Sequence, residues 1–201
     1  KKLPFEHFNK PQHSKGLWAP SIRYHNNKFW IVVAMPDEGI FVTTANSPEE
    51  EWSPLQCIWE GKGFIDPCPF WDDDGKAYII HAYAKSRIGF KSKLGILQAD
   101  YNTLKTFGED QFIFDGTQTQ PTIEGPKVYK FNGTYFILAP AGGVKTGWQT
   151  ALRSKSIYGP WEEKIVLEQG YSKINGPHQG GLVQDIDQNW WFLHFQYKGV
   201  Y

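Results

Sequence analysis

The sequence is short of several residue types, and each shortage narrows what the protein can be. Only two of its 201 residues are cysteine and one is methionine. Two cysteines are too few for a disulfide framework or a zinc site, so Cys57 and Cys68 are predicted to be buried free thiols. Lysine plus arginine and aspartate plus glutamate both number 21, which gives a formal net charge of zero. Because no basic stripe is available for a phosphate backbone, nucleic acid is not an expected partner.

Long hydrophobic runs are also missing. No stretch approaches the roughly 20 apolar residues of a membrane helix, so no membrane partner is expected. Residues 1–7 lack the apolar centre of a secretory signal, although a signal already removed would leave no trace. The compartment stays open, and a secreted or periplasmic location is favoured over a cytoplasmic one.

Aromatic residues are plentiful, at 16% of the chain, and they belong to a repeated strand–turn–strand pattern. The clearest copy covers residues 123–138, in which Asn132 and Gly133 separate an alternating strand from an apolar one. Asn-Gly between two such runs is the strongest short-range hairpin signal, because a type I′ turn requires a positive φ at both central residues. Four copies of the pattern are present, and they are led by Trp18, Asp66, Glu124 and His178.

The spacing of the four copies predicts the fold. A period of about 50 residues with strand pairs inside each unit is the signature of a β-propeller, so an all-β fold is expected. Further strands are predicted in the first three copies, at residues 40–46, 52–59, 94–99, 111–114, 148–154 and 165–167. The innermost strand of each propeller blade lines the central channel, so the four leading residues are expected to converge on one pocket.

The repeat count predicts about three and a half blades. The fourth copy stops after its inner hairpin, and 17 residues precede Trp18. We therefore expect residues 1–201 to form one propeller domain that is incomplete at both ends. Exposed sheet edges would then be covered by a complementary chain or by self-association.

The acidic leading residues suit acid–base chemistry. Asp66 and Glu124 lead neighbouring copies, and two carboxyl groups in one pocket are the standard equipment for glycoside hydrolysis. Two close carboxylates push their pKa values apart, so one is expected to stay ionised and to keep the other protonated. The alternative is that both acids cap strands or bind a structural cation. Their matching positions beside a tryptophan and a histidine favour the catalytic interpretation.

The same stretches resemble glycoside hydrolase family 43, the five-bladed propellers that act on xylan, arabinan and arabinoxylan. The resemblance rests on residues 16–22, 65–78, 123–135 and 176–183, which follow the family's order along nearly the whole chain. It implies an inverting enzyme of the β-xylosidase or α-L-arabinofuranosidase type, which removes xylose or arabinofuranose from xylan, arabinoxylan or their oligosaccharides. The rival hypothesis is a non-catalytic carbohydrate-binding propeller, and a purely structural scaffold ranks last.

The resemblance also implies residue roles. Glu124 corresponds to the general acid, and Asp66 to the aspartate that tunes and orients that acid. Trp18 matches the tryptophan that walls the −1 sugar subsite, and Ile65, in the matching Ile-Asp-Pro stretch, is counted among the substrate-binding residues. His178 matches a histidine near the bottom of the channel that in many members faces a water-ligated calcium. It is therefore predicted both to bind substrate and to lie at a calcium site.

Two parts of the family's site have no match in this sequence. The family's general base is an aspartate upstream of the Trp-Ala-Pro stretch, and Glu6, the only acid before Trp18, has the wrong context for it. An arginine that binds the sugar in many members follows the segment at which this sequence stops. The sequence therefore predicts the acid half of an inverting site, and the 201 residues alone are predicted to show no measurable hydrolysis.

Overall fold

The computed structural model describes residue 11, residues 13–174 and residues 176–196, and it places fourteen strands and one short helix there. Glu6 and residues 197–201 of the fourth copy lie outside the described residues. The strands group into four antiparallel sheets in chain order. Sheet I contains β1 (Trp18–His25), β2 (Lys28–Met35), β3 (Gly39–Ala45) and β4 (Gln56–Glu60). Sheet II contains β5 (Phe64–Trp71), β6 (Ala77–Tyr83), β7 (Lys93–Ala99) and β8 (Thr106–Asp115), with helix α1 (Lys85–Ile88) after β6.

The remaining strands repeat this arrangement. Sheet III contains β9 (Lys127–Phe131), β10 (Thr134–Ala141), β11 (Trp148–Ser154) and β12 (Glu162–Leu167), and sheet IV contains β13 (Pro177–Gln184) and β14 (Trp190–Gln196). Within each sheet every strand pairs with the next one in sequence, so the chain meanders outward from an inner strand. These antiparallel meandering sheets confirm the predicted all-β propeller. In the described residues no helix is long and apolar enough to cross a membrane.

Tight turns set the register of the inner hairpins. Asn26 and Asn27 have φ values of 48° and 58°, and Asn132 and Gly133 have values of 47° and 68°. Asparagine and glycine tolerate this left-handed region better than other residues, which is why these pairs close two-residue hairpins. The turn fixes the register of sheet I, since His25 pairs with Lys28 and the pairing of β1 with β2 then continues without a shift as far as Ser21.

Sheet II is buried on both faces because sheets I and III pack against it. Every residue of β6 is buried, including the run Tyr78-Ile79-Ile80. One apolar cluster joins sheets II and III around Ile80 and Ile137, and a second joins sheets I and II around Val32 and Ile79. Full burial of each such aliphatic side chain stabilises the fold by roughly 1.5–3 kcal/mol, so the blade interfaces are the main source of cohesion.

One polar link also joins sheets II and III. Asp72, 4% exposed, accepts a hydrogen bond of 2.5 Å from the hydroxyl of Tyr135 and contacts the ammonium group of Lys130. A buried carboxylate is tolerated when its charge is paired and its oxygens are hydrogen-bonded. The Asp72 carboxylate therefore fixes the relative position of two neighbouring sheets.

Some outer strand boundaries differ from those predicted. Strand β4 begins at Gln56, four residues after the predicted start, because Pro54 has no N–H group to donate. Strand β8 begins at Thr106, five residues before the predicted start, since register shifts hide its alternation. The two cysteines are free, as predicted, and Cys68 is buried. The prediction that Cys57 is buried is wrong, since its strand lies at the outer edge of sheet I and leaves it half-buried.

Candidate active site

The inner strands of sheets I, II and IV share one irregularity near their start. In each, the pairing register shifts across two intervening residues, a β-bulge that bends the strand and redirects its side chains. The shifts lie between Trp18 and Ser21, between Ile65 and Cys68, and between His178 and Gly181. These bulges place the leading residues of the copies at the same end of the sheets.

The bulges also show which residues occupy equivalent positions in the repeated copies. Trp18, Ile65 and His178 occupy equivalent positions immediately before the shift. The prediction that Asp66 holds this position is wrong, because Asp66 lies one residue further along, inside the bulge. The turn between β5 and β6 is longer than the two-residue turns of sheets I and III. Counting residues back from the second strand therefore placed the start of this copy one residue too late.

Two of the bulge residues and the residue after Glu124 share an unusual backbone conformation. Asp66, Gly125 and Gln179 have φ values of 53°, 57° and 50°. Glycine adopts such values freely, whereas aspartate and glutamine do so uncommonly and at an energetic cost. Non-glycine residues persist in this region only when surrounding contacts hold them. The three residues are in mutual contact, and those contacts define the centre of the site.

The two predicted carboxyl groups are brought together. Oδ2 of Asp66 accepts a hydrogen bond of 2.7 Å from the backbone N–H of Gly125, the residue that follows Glu124. The backbone N–H of Glu124 itself donates to the carbonyl oxygen of Pro140 over 3.1 Å, which anchors the segment to sheet III. Asp66 is 4% exposed, and the Glu124 side chain is 25% exposed. Glu124 is therefore the more accessible of the two carboxyl groups.

His178 is a direct partner of Glu124. Its Nε2 lies 2.9 Å from Oε1 of Glu124, and the ring of Phe195 packs edge-on against it at 5.5 Å. The sequence placed His178 in the same pocket but gave no sign of this hydrogen bond. The imidazole orients the Glu124 carboxyl group from the neighbouring sheet.

The second ring nitrogen of His178 bears on the predicted calcium. Nδ1 is buried and has no hydrogen-bond partner in the described part of the chain. The same residues contain no group of three or more histidine, cysteine, aspartate or glutamate side chains arranged to hold a metal ion. Nδ1 suits a hydrogen bond to a water molecule bound to an ion, which agrees with the role predicted for His178. Since the described residues show no ligands for that ion, the calcium site at His178 stays a prediction.

Burial perturbs the charged groups around the carboxyl pair. Desolvation by burial, and next the charge of Glu124, raise the pKa of Asp66. Burial lowers the pKa of Lys127, whose Nζ lies 3.4 Å from the carbonyl oxygens of Gly125 and Pro126. The raised pKa of Asp66 reflects its enclosure beside a second carboxyl group.

The other predicted substrate-binding residues, Trp18 and Ile65, lie on the inner strands of sheets I and II. Trp18 is half-buried, packs against the apolar cluster that contains Ile65, and has the Arg87 guanidinium carbon 5.0 Å from its ring centroid. Ile65 is only 6% exposed, because it belongs to that cluster. Substrate binding by Trp18 and Ile65 stays a prediction.

Sequence reasoning missed a second set of contacts along the inner strands. Nη2 of Arg23 lies 3.3 Å from Sγ of Cys68, and its guanidinium carbon lies 5.2 Å from the ring centroid of Tyr129. The Tyr129 hydroxyl accepts a hydrogen bond of 2.7 Å from the backbone N–H of Leu182. One residue from each sheet takes part, so this layer fixes the four inner strands around a common axis. The position of these residues on predicted inner strands is the feature of the sequence that could have identified them.

A propeller that presents a buried carboxyl group, a reachable carboxyl group and an imidazole at one end of its inner strands has the layout of a glycosidase acid site. Comparison with known families agrees with this class. The model of the glycosyl hydrolases family 43 matches residues 3–200. The chain belongs to this family.

Relatives and solved structures give the same picture. The chain is 44% identical over 199 residues to a putative beta-xylosidase of Xylanibacter ruminicola, covering 96% of this chain and 36% of the relative. It is 31% identical over 204 residues to a beta-xylosidase of Formosa agariphila, covering 90% and 34%. The xylan beta-1,4-xylosidase structure from Bacillus halodurans C-125 superimposes with a TM-score of 0.80 at 26% identity, covering 93% of this chain and 38% of that one. The chain thus spans about a third of the length of these relatives.

Proposed function

We propose that the complete protein is an inverting glycoside hydrolase that removes terminal xylose from xylan, arabinoxylan or their oligosaccharides, with arabinofuranose as the second candidate sugar. Membership of the family supports the reaction class. The names of the relatives support the sugar, since two beta-xylosidases are 44% and 31% identical to the chain. A non-reducing end alpha-L-arabinofuranosidase of Bacteroides ovatus is 29% identical, which is why arabinofuranose is retained.

The observation that carries the proposal is the difference in exposure between the paired carboxyl groups. Glu124, with a quarter of its side chain exposed, can reach a glycosidic oxygen, whereas Asp66 is enclosed and can act only through its neighbours. Glu124 is therefore assigned as the general acid and Asp66 as the group that orients and tunes it. His178 holds Oε1 of Glu124 at 2.9 Å, so the carboxyl group keeps one orientation.

The reaction follows from these roles. Glu124 donates its proton to the departing glycosidic oxygen while the bond between that oxygen and the anomeric carbon breaks, and the electron pair goes to the oxygen. Water attacks the opposite face of the sugar and gives its proton to a carboxylate base. The resemblance assigns that base to an aspartate upstream of Trp18. Protonation by a positioned acid is worth about 10²–10⁴-fold in rate.

The test is a stereochemical assay of the complete protein. Xylobiose, an aryl β-xyloside and an aryl α-arabinofuranoside are each incubated with enzyme, and proton NMR follows the first sugar released. We expect the aryl β-xyloside to release α-xylose before it mutarotates, and the arabinofuranoside to react more slowly. Release of β-xylose from the aryl β-xyloside would exclude inversion. Saturable binding of xylo-oligosaccharides without any turnover would overturn the catalytic proposal in favour of a carbohydrate-binding propeller.

A further inference from the structure

Two consecutive residues of β13 contact two different carboxyl groups. Nε2 of His178 lies 2.9 Å from Oε1 of Glu124, and Nε2 of Gln179 lies 3.4 Å from Oδ2 of Asp66. In a regular strand consecutive side chains point to opposite faces, so one residue of such a pair would point away. The bulge and the φ of 50° at Gln179 allow both side chains to reach the site.

Gly125 lies directly against the Gln179 carboxamide. A Cβ atom added to Gly125 would lie 2.4 Å from Oε1 and 3.0 Å from Nε2 of Gln179, so a larger residue here would displace the carboxamide. The backbone N–H of Gly125 donates to Oδ2 of Asp66, the same oxygen that the Gln179 amide approaches. The carboxamide therefore closes a three-way contact, which we call the Asp66–Gly125–Gln179 cluster.

The cluster links the two carboxyl groups mechanically. Gly125 is the chain neighbour of Glu124, so any movement of its backbone redirects the glutamate. Gln179 limits that movement on one side and the Asp66 carboxylate limits it on the other. An amide suits this place because it donates to a carboxylate without adding charge, whereas a third acid would repel both carboxyl groups.

We infer that Gln179 is a positioning residue, whose carboxamide holds Asp66 and the Gly125 backbone so that Glu124 meets the glycosidic oxygen in the correct orientation. The effect of Gln179 on catalysis rests on the proposed function, whereas its contact with Asp66 does not depend on that function. Gln179 touches neither the substrate nor the reacting atoms, and it acts through the two acids.

The first test compares Gln179→Leu with Gln184→Leu in the complete protein. Both remove an amide from β13, but Gln184 is exposed and its amide donates to the carbonyl oxygen of Gln188. We expect Gln179→Leu to lower kcat/KM by up to about 100-fold on substrates with poor leaving groups, and by much less on an aryl xyloside with an acidic phenol. Gln184→Leu should change neither. Equal losses on both substrates would mean a structural role and would overturn the inference.

The second test needs no catalysis. Thermal unfolding of the wild type, Gln179→Leu and Gln184→Leu is followed between pH 4 and pH 9. The Gln179 amide supports the ionised form of Asp66, which also faces Glu124 and Lys127. The Tm deficit of Gln179→Leu should therefore grow as the pH rises through the titration of Asp66, whereas any deficit of Gln184→Leu should be independent of pH.

The two tests separate the inference from the proposed function. If the wild-type protein hydrolyses no pentoside, the proposed function fails, and the unfolding series alone decides on Gln179. A Tm deficit of Gln179→Leu that is the same at all pH values would show that its amide does not support the Asp66 carboxylate. That result would overturn the inference whatever the activity.

Discussion

The substitution Glu124→Gln isolates the proton that the mechanism requires. Glutamine has the shape of glutamate and keeps an oxygen that can accept the hydrogen bond now made by Nε2 of His178 at 2.9 Å. The Glu124 side chain is a quarter exposed, so the amide does not bury an additional unpaired group. The backbone bond to Pro140 is unaffected. The variant therefore differs from the wild type mainly in its inability to donate the proton.

The size of the effect depends on the leaving group. For xylobiose, whose departing sugar alkoxide needs protonation, we expect kcat/KM to fall by about 10²–10⁴-fold. A thousand-fold loss corresponds to roughly 4 kcal/mol of transition-state stabilisation. For an aryl xyloside with an acidic phenol, which departs without help, the loss should be less than about ten-fold.

The assay measures kcat/KM of the complete protein on a series of aryl xylosides of decreasing phenol acidity. The rate should depend steeply on the leaving group in Glu124→Gln and weakly in the wild type. Glu168→Gln, at an exposed position after β12, is the matched control and should behave as the wild type. The same loss on every substrate, with the leaving-group dependence unchanged, would refute the assignment of Glu124 as the acid.

Three further predictions concern the neighbours of Glu124 and the blade interface. Burial raises the pKa of Asp66 in the folded state, so ionisation of Asp66 destabilises the fold above about pH 4. The Tm of the wild type should therefore fall with rising pH relative to the Tm of Asp66→Asn. Asp66→Asn should also lose activity. His178→Phe should reduce turnover of poor leaving groups by about 100-fold while leaving acidic phenol substrates less affected. Asp72→Ala should lower the free energy of unfolding in urea by about 1–3 kcal/mol, since it leaves the Tyr135 hydroxyl without its acceptor, whereas the Lys130 ammonium keeps Asp73 at 3.2 Å. An unchanged urea midpoint would show that Asp72 contributes no stability.

Local signals account for the part of the fold that sequence predicts well. The inner hairpins follow from turn pairs such as Asn132–Gly133, whose positive φ values are a local property of the two residues. The apolar run of β6 predicts a strand buried on both faces. The exposed edge strand β12 is longer than predicted, because its residues from Glu162 to Lys164 are charged and resemble a loop.

Long-range contacts explain what the sequence could not supply. Glu124 and His178 are 54 residues apart, so no local pattern reveals their hydrogen bond. Gln179 and Asp66 are 113 residues apart, and the amide looks like an ordinary polar residue in the sequence. The contacts arise only after the sheets assemble around one axis. Residue types predicted the pocket, whereas its hydrogen bonds required the structure.

The prolines of the repeat contained the information that would have corrected the alignment. Pro20, Pro67 and Pro126 fall at the same place in three copies, and counting back two residues from them gives Trp18, Ile65 and Glu124 rather than Asp66. In this frame only Glu124 is an acid at the leading position, and Asp66 falls at the next position, where the backbone has positive φ. The two carboxyl groups thus differ in repeat position before any side chain is placed. That difference leaves one of them accessible and encloses the other, and the roles proposed for the two acids follow from it.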